Sequence, residues 1–434
     1  LIFFYQKPLF MYNPNDAHLK SWVKVPADSD FPIQNLPFGI FNAGKKSPRA
    51  GVAIGEYVLD LHQLQKGGFL DELNLPDKIF KQASLNEFFA LGRKKVSKVR
   101  KEVSKMLNEA AENRTIKYIS KKCFVPIDVA EMLMPVTVAN YTDFYSSEDH
   151  ARNVGSMFRD PDNALLPNWK HLPVGYHGRA SSIVVSGTPL HRPMGQTKAP
   201  DADKPSFGPS QRVDFELEMA FITCRNTLLG ERISTSEAEN NIIGLVLFND
   251  WSARDLQTWE YVPLGPFLAK NFGSSVSPWV VTLDALEPFR TEGPKQDPEP
   301  LDYLKYKGRH HYDIQLEVSI SSTGMDEKVV SQSNYKYLYW NMVQQLAHHT
   351  INGCNICVGD MYASGTISGP EKESWGSMLE LAWKGTKPIE MPDGSTRTFI
   401  EDGDIVRMRA RAEKGGVRIG FGEVVTEILP PVTM

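Results

Sequence analysis

The chain has 434 residues, 41% of them hydrophobic, 23% charged and 10% aromatic, a globular composition long enough for two domains. Its formal charge of −4 gives no electrostatic reason to expect a nucleic-acid partner, and no apolar run reaches the roughly 18–20 residues that cross a bilayer. The four cysteines, Cys123, Cys224, Cys354 and Cys357, are too few for a disulfide scaffold and fit a reducing compartment, so a cytoplasmic location is expected.

The opening Leu1-Ile2-Phe3-Phe4-Tyr5 is short and lacks the basic flank of a signal peptide. Up to residue 83 the chain holds short strand-like pieces, such as 51–55 and 57–61, between Pro- and Gly-marked turns. Ser84-Leu85-Asn86-Glu87 then reads as a capping box. It predicts one amphipathic helix with Phe88, Leu91, Val96, Val99, Val103, Met106 and Leu107 on its apolar side. The lysines between them, from Lys94 to Lys105, read as a solvated face. Pro126 and Pro135 mark a boundary near residues 125–140.

Beyond that boundary strands dominate, expected at 182–186, 213–223, 244–249, 279–283, 312–321, 404–411 and 417–425, with one helix at 334–350. Many strands and long Pro/Gly-rich connections argue for a sandwich or roll. At 140–150, Ser146 or Ser147 can cap a short helix whose first turn holds Glu148 and Asp149. That helix carries His150 into a polar neighbourhood with Asp143, where a general-base role is one reading and an ordinary satisfied histidine the other.

The alternation Asp214-Phe215-Glu216-Leu217-Glu218-Met219 sends Asp214, Glu216 and Glu218 to one face of a strand. Carboxylates about 6–7 Å apart need compensation, and a divalent cation supplies it. Asp250 ends an apolar run, and a helix is expected at 251–261. Asp250, Arg254, Gln257 and Tyr261 would form one stripe of that helix, suited to a polar substrate; a plain N-cap role for Asp250 is the alternative. Lys270 is a lone cation in a glycine-bounded apolar loop, either a surface lysine or a charge held beside the carboxylates. Residues 364–369 form a small-residue loop able to approach a ligand closely. Cys354-Asn355-Ile356-Cys357 has no second ligand pair, His348-His349 ends a helix, and nucleotide binding has no motif behind it.

Residues 141–147, 163–169, 172–188, 216–220, 249–255, 259–267, 364–369 and 376–381, in that order, resemble the fumarylacetoacetate hydrolase family. The resemblance spans about residues 24 to 430 and is weakest over 62–135. It implies a small N-terminal SH3-like barrel at 24–135 after an extension at 1–23, then a catalytic mixed β-sandwich roll at 136–434, usually in a homodimer. The implied activity is metal-dependent hydrolysis of the carbon–carbon bond of 4-fumarylacetoacetate at the end of tyrosine breakdown. An acylpyruvate hydrolase or 2-oxoacid decarboxylase of the same superfamily is the alternative. A catalytically inactive, metal-stabilised binding protein is the alternative of another class.

The resemblance also implies residue roles. Asp143, Glu216, Glu218 and Asp250 match cation ligands, for Ca²⁺ and/or Mg²⁺, while Lys270 and Ser274 match a magnesium-linked site beside them. Asp214 matches no ligand and is expected to be a supporting residue. His150 matches the base oriented by Glu380, and Arg254, Gln257 and Lys270 match oxyanion donors. Tyr145, Arg159, Tyr176, Gln257, Tyr261 and Thr366 match substrate contacts. The implied partner is a small molecule, not nucleic acid or membrane.

Overall fold

The computed structural model describes residues 12–44 and 47–432. A five-stranded antiparallel sheet comes first, in the spatial order Phe124–Pro126, Tyr57–Asp60, Arg49–Ile54, Phe38–Asn42, Glu131–Leu133. This is the small SH3-like unit. Residues 1–11 of the expected extension lie outside the described residues, but its last part packs against this unit: the Trp22 indole donates to the Met106 carbonyl at 2.8 Å.

The larger part is a roll of two curled sheets. One runs Gly175–His177, Tyr141–Phe144, Met361–Ala363, Leu217–Thr223, Ile242–Asp250, Ser274–Val276, Ile183–Val185, with Val281–Thr282 also pairing with Ile242–Asp250. The pairing is mixed: Met361–Ala363 lies parallel to Tyr141–Phe144, and Ser274–Val276 parallel to Ile183–Val185. The other sheet is built on Met325–Asn334, Gln315–Ser322, Asp404–Lys414 and Val417–Leu429, edged by Leu190–His191.

The central strands of the first of these sheets, Leu217–Thr223 and Ile242–Asp250, are buried on both faces, which is why Ile242–Phe248 reads as a near-continuous apolar run. Leu217, Met219, Phe221, Leu245 and Leu247 point into the core between the two sheets, against Val318, Met408 and Phe421. Ala220, Ile222, Val246, Phe248 and Met361 point the other way, into a core shared with Val52, Ile54, Val96, Val99 and Val103 of the N-terminal part. By strand alternation Glu218, Asp250 and Asp143 belong to that second face, where the sheet runs past its apolar cover.

Three expected helices are shorter than the sequence suggests. The helix expected from Ser84 is two, Asn86–Phe89 and Arg93–Leu107, broken where Gly92 adopts φ 82°. No side chain caps the first of them; the Leu85 amide instead donates to Pro135 and fastens the turn to the boundary segment. The helix expected at 334–350 begins as a single 3-10 turn, and its α-helical part is Met342–Thr350, started by an Asn341/Gln344 capping box. The helix expected at 251–261 is Arg254–Glu260, because Ser252–Ala253 pair with Val213–Asp214. Asp250 is therefore the end of a strand and neither an N-cap nor a member of a helical stripe. The strand expected at 213–223 is likewise interrupted between Asp214 and Leu217, where the Glu216 amide donates to the Asn249 side chain.

Gly155 lies in the Glu148–Phe158 helix, where Gly→Ala would ordinarily stabilise by about 1 kcal/mol. A Cβ there would stand 2.1 Å from the Ala164 carbonyl oxygen. Gly155→Ala is therefore expected to destabilise the protein, by roughly 1–3 kcal/mol, in a urea unfolding titration; an unchanged or raised midpoint would contradict this packing.

Candidate active site

Four carboxylates converge at the end of the first roll sheet. Asp143 comes from Tyr141–Phe144, Glu218 from Leu217–Thr223, Asp250 from the end of Ile242–Asp250, and Glu216 from the break just before Leu217. Each can offer an oxygen within 4.8 Å of the others, and all four side chains are buried. The Gly365 amide donates to Asp143 Oδ1 at 3.1 Å and to Glu218 Oε2 at 3.0 Å. It gets that close because Gly365 has φ 76°, with a Cβ position 2.3 Å from the Phe144 carbonyl oxygen. Glu218 Oε1 is buried and has no hydrogen-bond partner.

Two cations enter from one side. Lys270 Nζ, only 8% exposed, lies 2.5 Å from Glu216 Oε2 and 2.8 Å from Asp250 Oδ2. Asp250 also accepts from the Tyr176 hydroxyl and from Ser274 Oγ, each at 2.8 Å. Arg254 donates from Nε to Asp214 Oδ2 and from Nη1 to Glu216 Oε1, both at 2.8 Å. Its Nη1 also reaches Gln257 Oε1 at 3.3 Å, while Nη2 is buried and unpaired.

The charges divide the carboxylates. Burial pushes Asp143 and Glu218 well above the usual range, and the neighbouring carboxylates push them further. Burial acts on Glu216 too, but Lys270 and Arg254 outweigh it and hold its carboxyl low. Burial opposes the charge on Lys270, yet Asp250 and Glu216 keep it a firm ammonium. Two cations, one of them shared with Asp214, face four buried carboxyl groups, so the site suits one further cation bound by oxygen.

Beside the carboxylates stands a buried histidine. Ser147 caps the Glu148–Phe158 helix, accepting from the His150 amide, and His150 Nδ1 meets Glu380 Oε2 at 2.7 Å. Glu380 also accepts from Asn153 Nδ2, Ser368 Oγ and Ser377 Oγ at 2.8–2.9 Å. Burial raises its pKa, but the His150 charge and these donors more than offset it and hold it low. The Tyr145 ring meets His150 edge-on at 5.2 Å. His150 also helps to hold Glu216 low, so the histidine lies within electrostatic reach of the carboxylates.

Of the remaining candidates, Thr366 is buried in the loop after Gly365, and Gln257 is half-buried on the Arg254–Glu260 helix. Arg159 lies at the end of the His150 helix, its guanidinium donating to the Ala164 carbonyl. Tyr261 is 51% exposed at the rim. His348, His349 and Cys354 line a different pocket of about 210 Å³ with Thr142 and His177. Residue reading missed the cradle of Glu380. Ser377-x-x-Glu380 carried a capping signature, and Asn153 lies one helical turn after His150, whereas nothing in the sequence pointed to Ser368.

Residues 34–135 match the family model described as fumarylacetoacetase N-terminal, and residues 139–429 the one described as fumarylacetoacetate (FAA) hydrolase C-terminal. The chain is 51% identical to a fumarylacetoacetase of Homo sapiens over 413 residues, 94% of this chain and 99% of that one. It is 52% identical to one of Dictyostelium discoideum over 419 residues, 95% of this chain and 98% of that one. Among solved structures, a fumarylacetoacetate hydrolase from Exiguobacterium antarcticum aligns with a TM-score of 0.51 at 17% identity, covering 91% of this chain and 99% of that one. That likeness shows the fold.

The raised carboxyls give a test of the site. In chelator the folded state holds protons on Asp143 and Glu218 that the unfolded chain releases above about pH 4–5, so their contribution to stability falls as pH rises. Glu216, held low, is ionised in both states there and adds no slope. A bound divalent cation removes the penalty. The melting-temperature gap between Ca²⁺- or Mg²⁺-loaded and chelated protein is therefore expected to widen from pH 5 to pH 8; a constant gap would contradict this electrostatic description.

Proposed function

This chain belongs to the fumarylacetoacetate hydrolase family, and we propose that its buried carboxylate site is where it hydrolyses the carbon–carbon bond of 4-fumarylacetoacetate. The products are fumarate and acetoacetate, and the reaction closes tyrosine and phenylalanine breakdown. The observation that carries the site assignment is a pair of buried, unpartnered atoms of opposite character. Glu218 Oε1 is an acceptor with nothing to accept, and Arg254 Nη2 a donor with nothing to donate to. One fits a cation and the other a substrate oxygen.

Asp143, Glu216, Glu218 and Asp250 would hold the cation, and oxygen-only ligation suits Ca²⁺ or Mg²⁺ better than zinc. When bound, it would act as a Lewis acid toward a dicarbonyl. Lys270 is an ammonium with no lone pair, so its task is to balance Glu216 and Asp250, while the Ser274 hydroxyl orients Asp250.

Glu380, held ionised, accepts only, so His150 carries its proton on Nδ1 and its lone pair on Nε2. Nε2 takes a proton from water as the water oxygen bonds to the ketone carbon. Arg254, Gln257 and Lys270 donate to the resulting oxyanion. The carbon–carbon electron pair then departs with the acetoacetate carbon, which takes up a proton. Tyr145, Tyr176, Tyr261 and Thr366 contact the substrate, and Arg159 suits a substrate carboxylate.

The same reading takes the unit at 24–135 and the roll at 136–434 as separate domains, and the protein as a cytoplasmic homodimer. Supporting the last two are four free cysteines among the described residues and the exposed Val262, Leu264 and Phe267, a run suited to a partner surface. An acylpyruvate hydrolase or decarboxylase is not favoured, since fumarylacetoacetases match over nearly the full length.

His150→Ala is expected to lower kcat for 4-fumarylacetoacetate by at least about 10²–10⁴-fold, with the fold and calorimetric cation binding retained. Undiminished turnover would remove His150 as the base. No turnover by folded, cation-loaded wild-type protein would sink the reading as a whole.

A further inference from the structure

Asp214 alternates with Glu216 and Glu218 in the sequence, yet it sits on the separate strand pair Val213–Asp214 and Ser252–Ala253 and lies outside the four-carboxylate group. It is completely buried, and its partners come from two directions. Oδ2 accepts from Arg254 Nε at 2.8 Å. Oδ1 accepts from the Met378 amide at 2.7 Å and Oδ2 from the Leu379 amide at 3.0 Å. Those amides open the Met378–Leu381 turn, whose N-cap is Ser377 and whose third residue is Glu380. Amides at the start of such a turn have no partner within it and need an outside acceptor. Asp214 supplies one, while Ser377 satisfies the Glu380 amide.

One carboxylate thus joins the arginine aimed at the oxyanion to the turn that presents the carboxylate orienting the base. We propose that Asp214 is a positioning residue for the reaction, holding Arg254 and Glu380 in a fixed mutual geometry so that attack by water and stabilisation of the oxyanion occur at one carbon. This rests on the roles given above to His150, Glu380 and Arg254. The chemistry requires a carboxylate. Three N–H donors converge on Asp214, and an Asn side chain would present an NH₂ group to at least one of them. With the NH₂ at the Oδ1 position the Met378 amide loses its acceptor, and with it at the Oδ2 position Arg254 Nε and the Leu379 amide lose theirs. In either case a neutral amide holds the guanidinium less firmly than a carboxylate. Glu216 is bound to the same guanidinium through Nη1, so Arg254 keeps its charge partner when Asp214 is neutralised.

The test uses the full chain loaded with Ca²⁺ or Mg²⁺. Asp214→Asn is expected to lower kcat about 100-fold, the scale of a misplacement near 1 Å, while KM and calorimetric cation affinity stay close to wild type. Amide hydrogen exchange over residues 376–381 should speed up. In an Arg254→Gln background the same substitution is expected to cost less, since one of its two connections is already gone, but still to lower kcat. Wild-type kcat in folded Asp214→Asn protein, an equal loss in both backgrounds, or a loss confined to KM or cation binding would overturn the proposal. If the single variant does not fold, the double variant lacks both buried charges. A kcat below that of Arg254→Gln then supports the proposal, and an equal kcat overturns it. Turnover that survives both His150→Ala and Arg254→Gln would instead refute the underlying site.

Discussion

Everything near the site follows from crowding four carboxylates into a buried space where each oxygen lies within 4.8 Å of the next residue's. Unscreened, such a group would protonate or push the sheet apart. The chain compensates with Lys270 on Glu216 and Asp250, Arg254 on Glu216, and the Gly365 amide on Asp143 and Glu218. These partners leave the charge unbalanced, and the remainder defines what the site accepts. That remainder is what a cation and an oxygen-rich substrate, as proposed above, would balance.

The sheet makes this arrangement possible. Its strands are held from both sides by apolar cores, so residues at their ends have little freedom to relax away from one another. Pairing of Leu217 with Asn249 and of Ala363 with Asp143 sets the register that gathers the carboxylates. His150, the proposed base, is carried by a neighbouring helix and fixed by the Ser147 cap and by Glu380. Rigid sheet and capped helix thus meet without relying on a mobile loop for either role.

Much of this was legible in the sequence, for physical reasons that differ by element. The period-two alternation at 214–219 separated the core-facing apolar side chains from the acidic ones, even though the strand itself breaks between Asp214 and Leu217. The cap before His150 was equally local, a serine followed by two acids. Helix limits were less legible. Gly92, at φ 82°, separates two helices and stands just before the second, and Arg254 begins one late because Ser252–Ala253 pair with a distant strand. Neither pairing nor turn handedness is written in apolar periodicity. Ser368 was invisible for the same reason, since its partner Glu380 is brought to it by the fold. The two-sided connection made by Asp214 depends on contacts 40 and 164 residues away.

The core shared between the N-terminal unit and the roll has a consequence for how damage would spread. Val96, Val99 and Val103 pack in the same cluster as Val246 and Phe248, the residues just upstream of Asp250. A lesion in that remote helix would therefore loosen the strand that delivers a proposed ligand, and the defect would register as weakened cation retention with the chemistry itself untouched. Mass action then runs in reverse, since a ligand bound only by the folded state stabilises that state by an amount that grows with the logarithm of its concentration. For such alleles the cation would behave as a folding chaperone, and cellular mineral supply would set how much enzyme survives quality control.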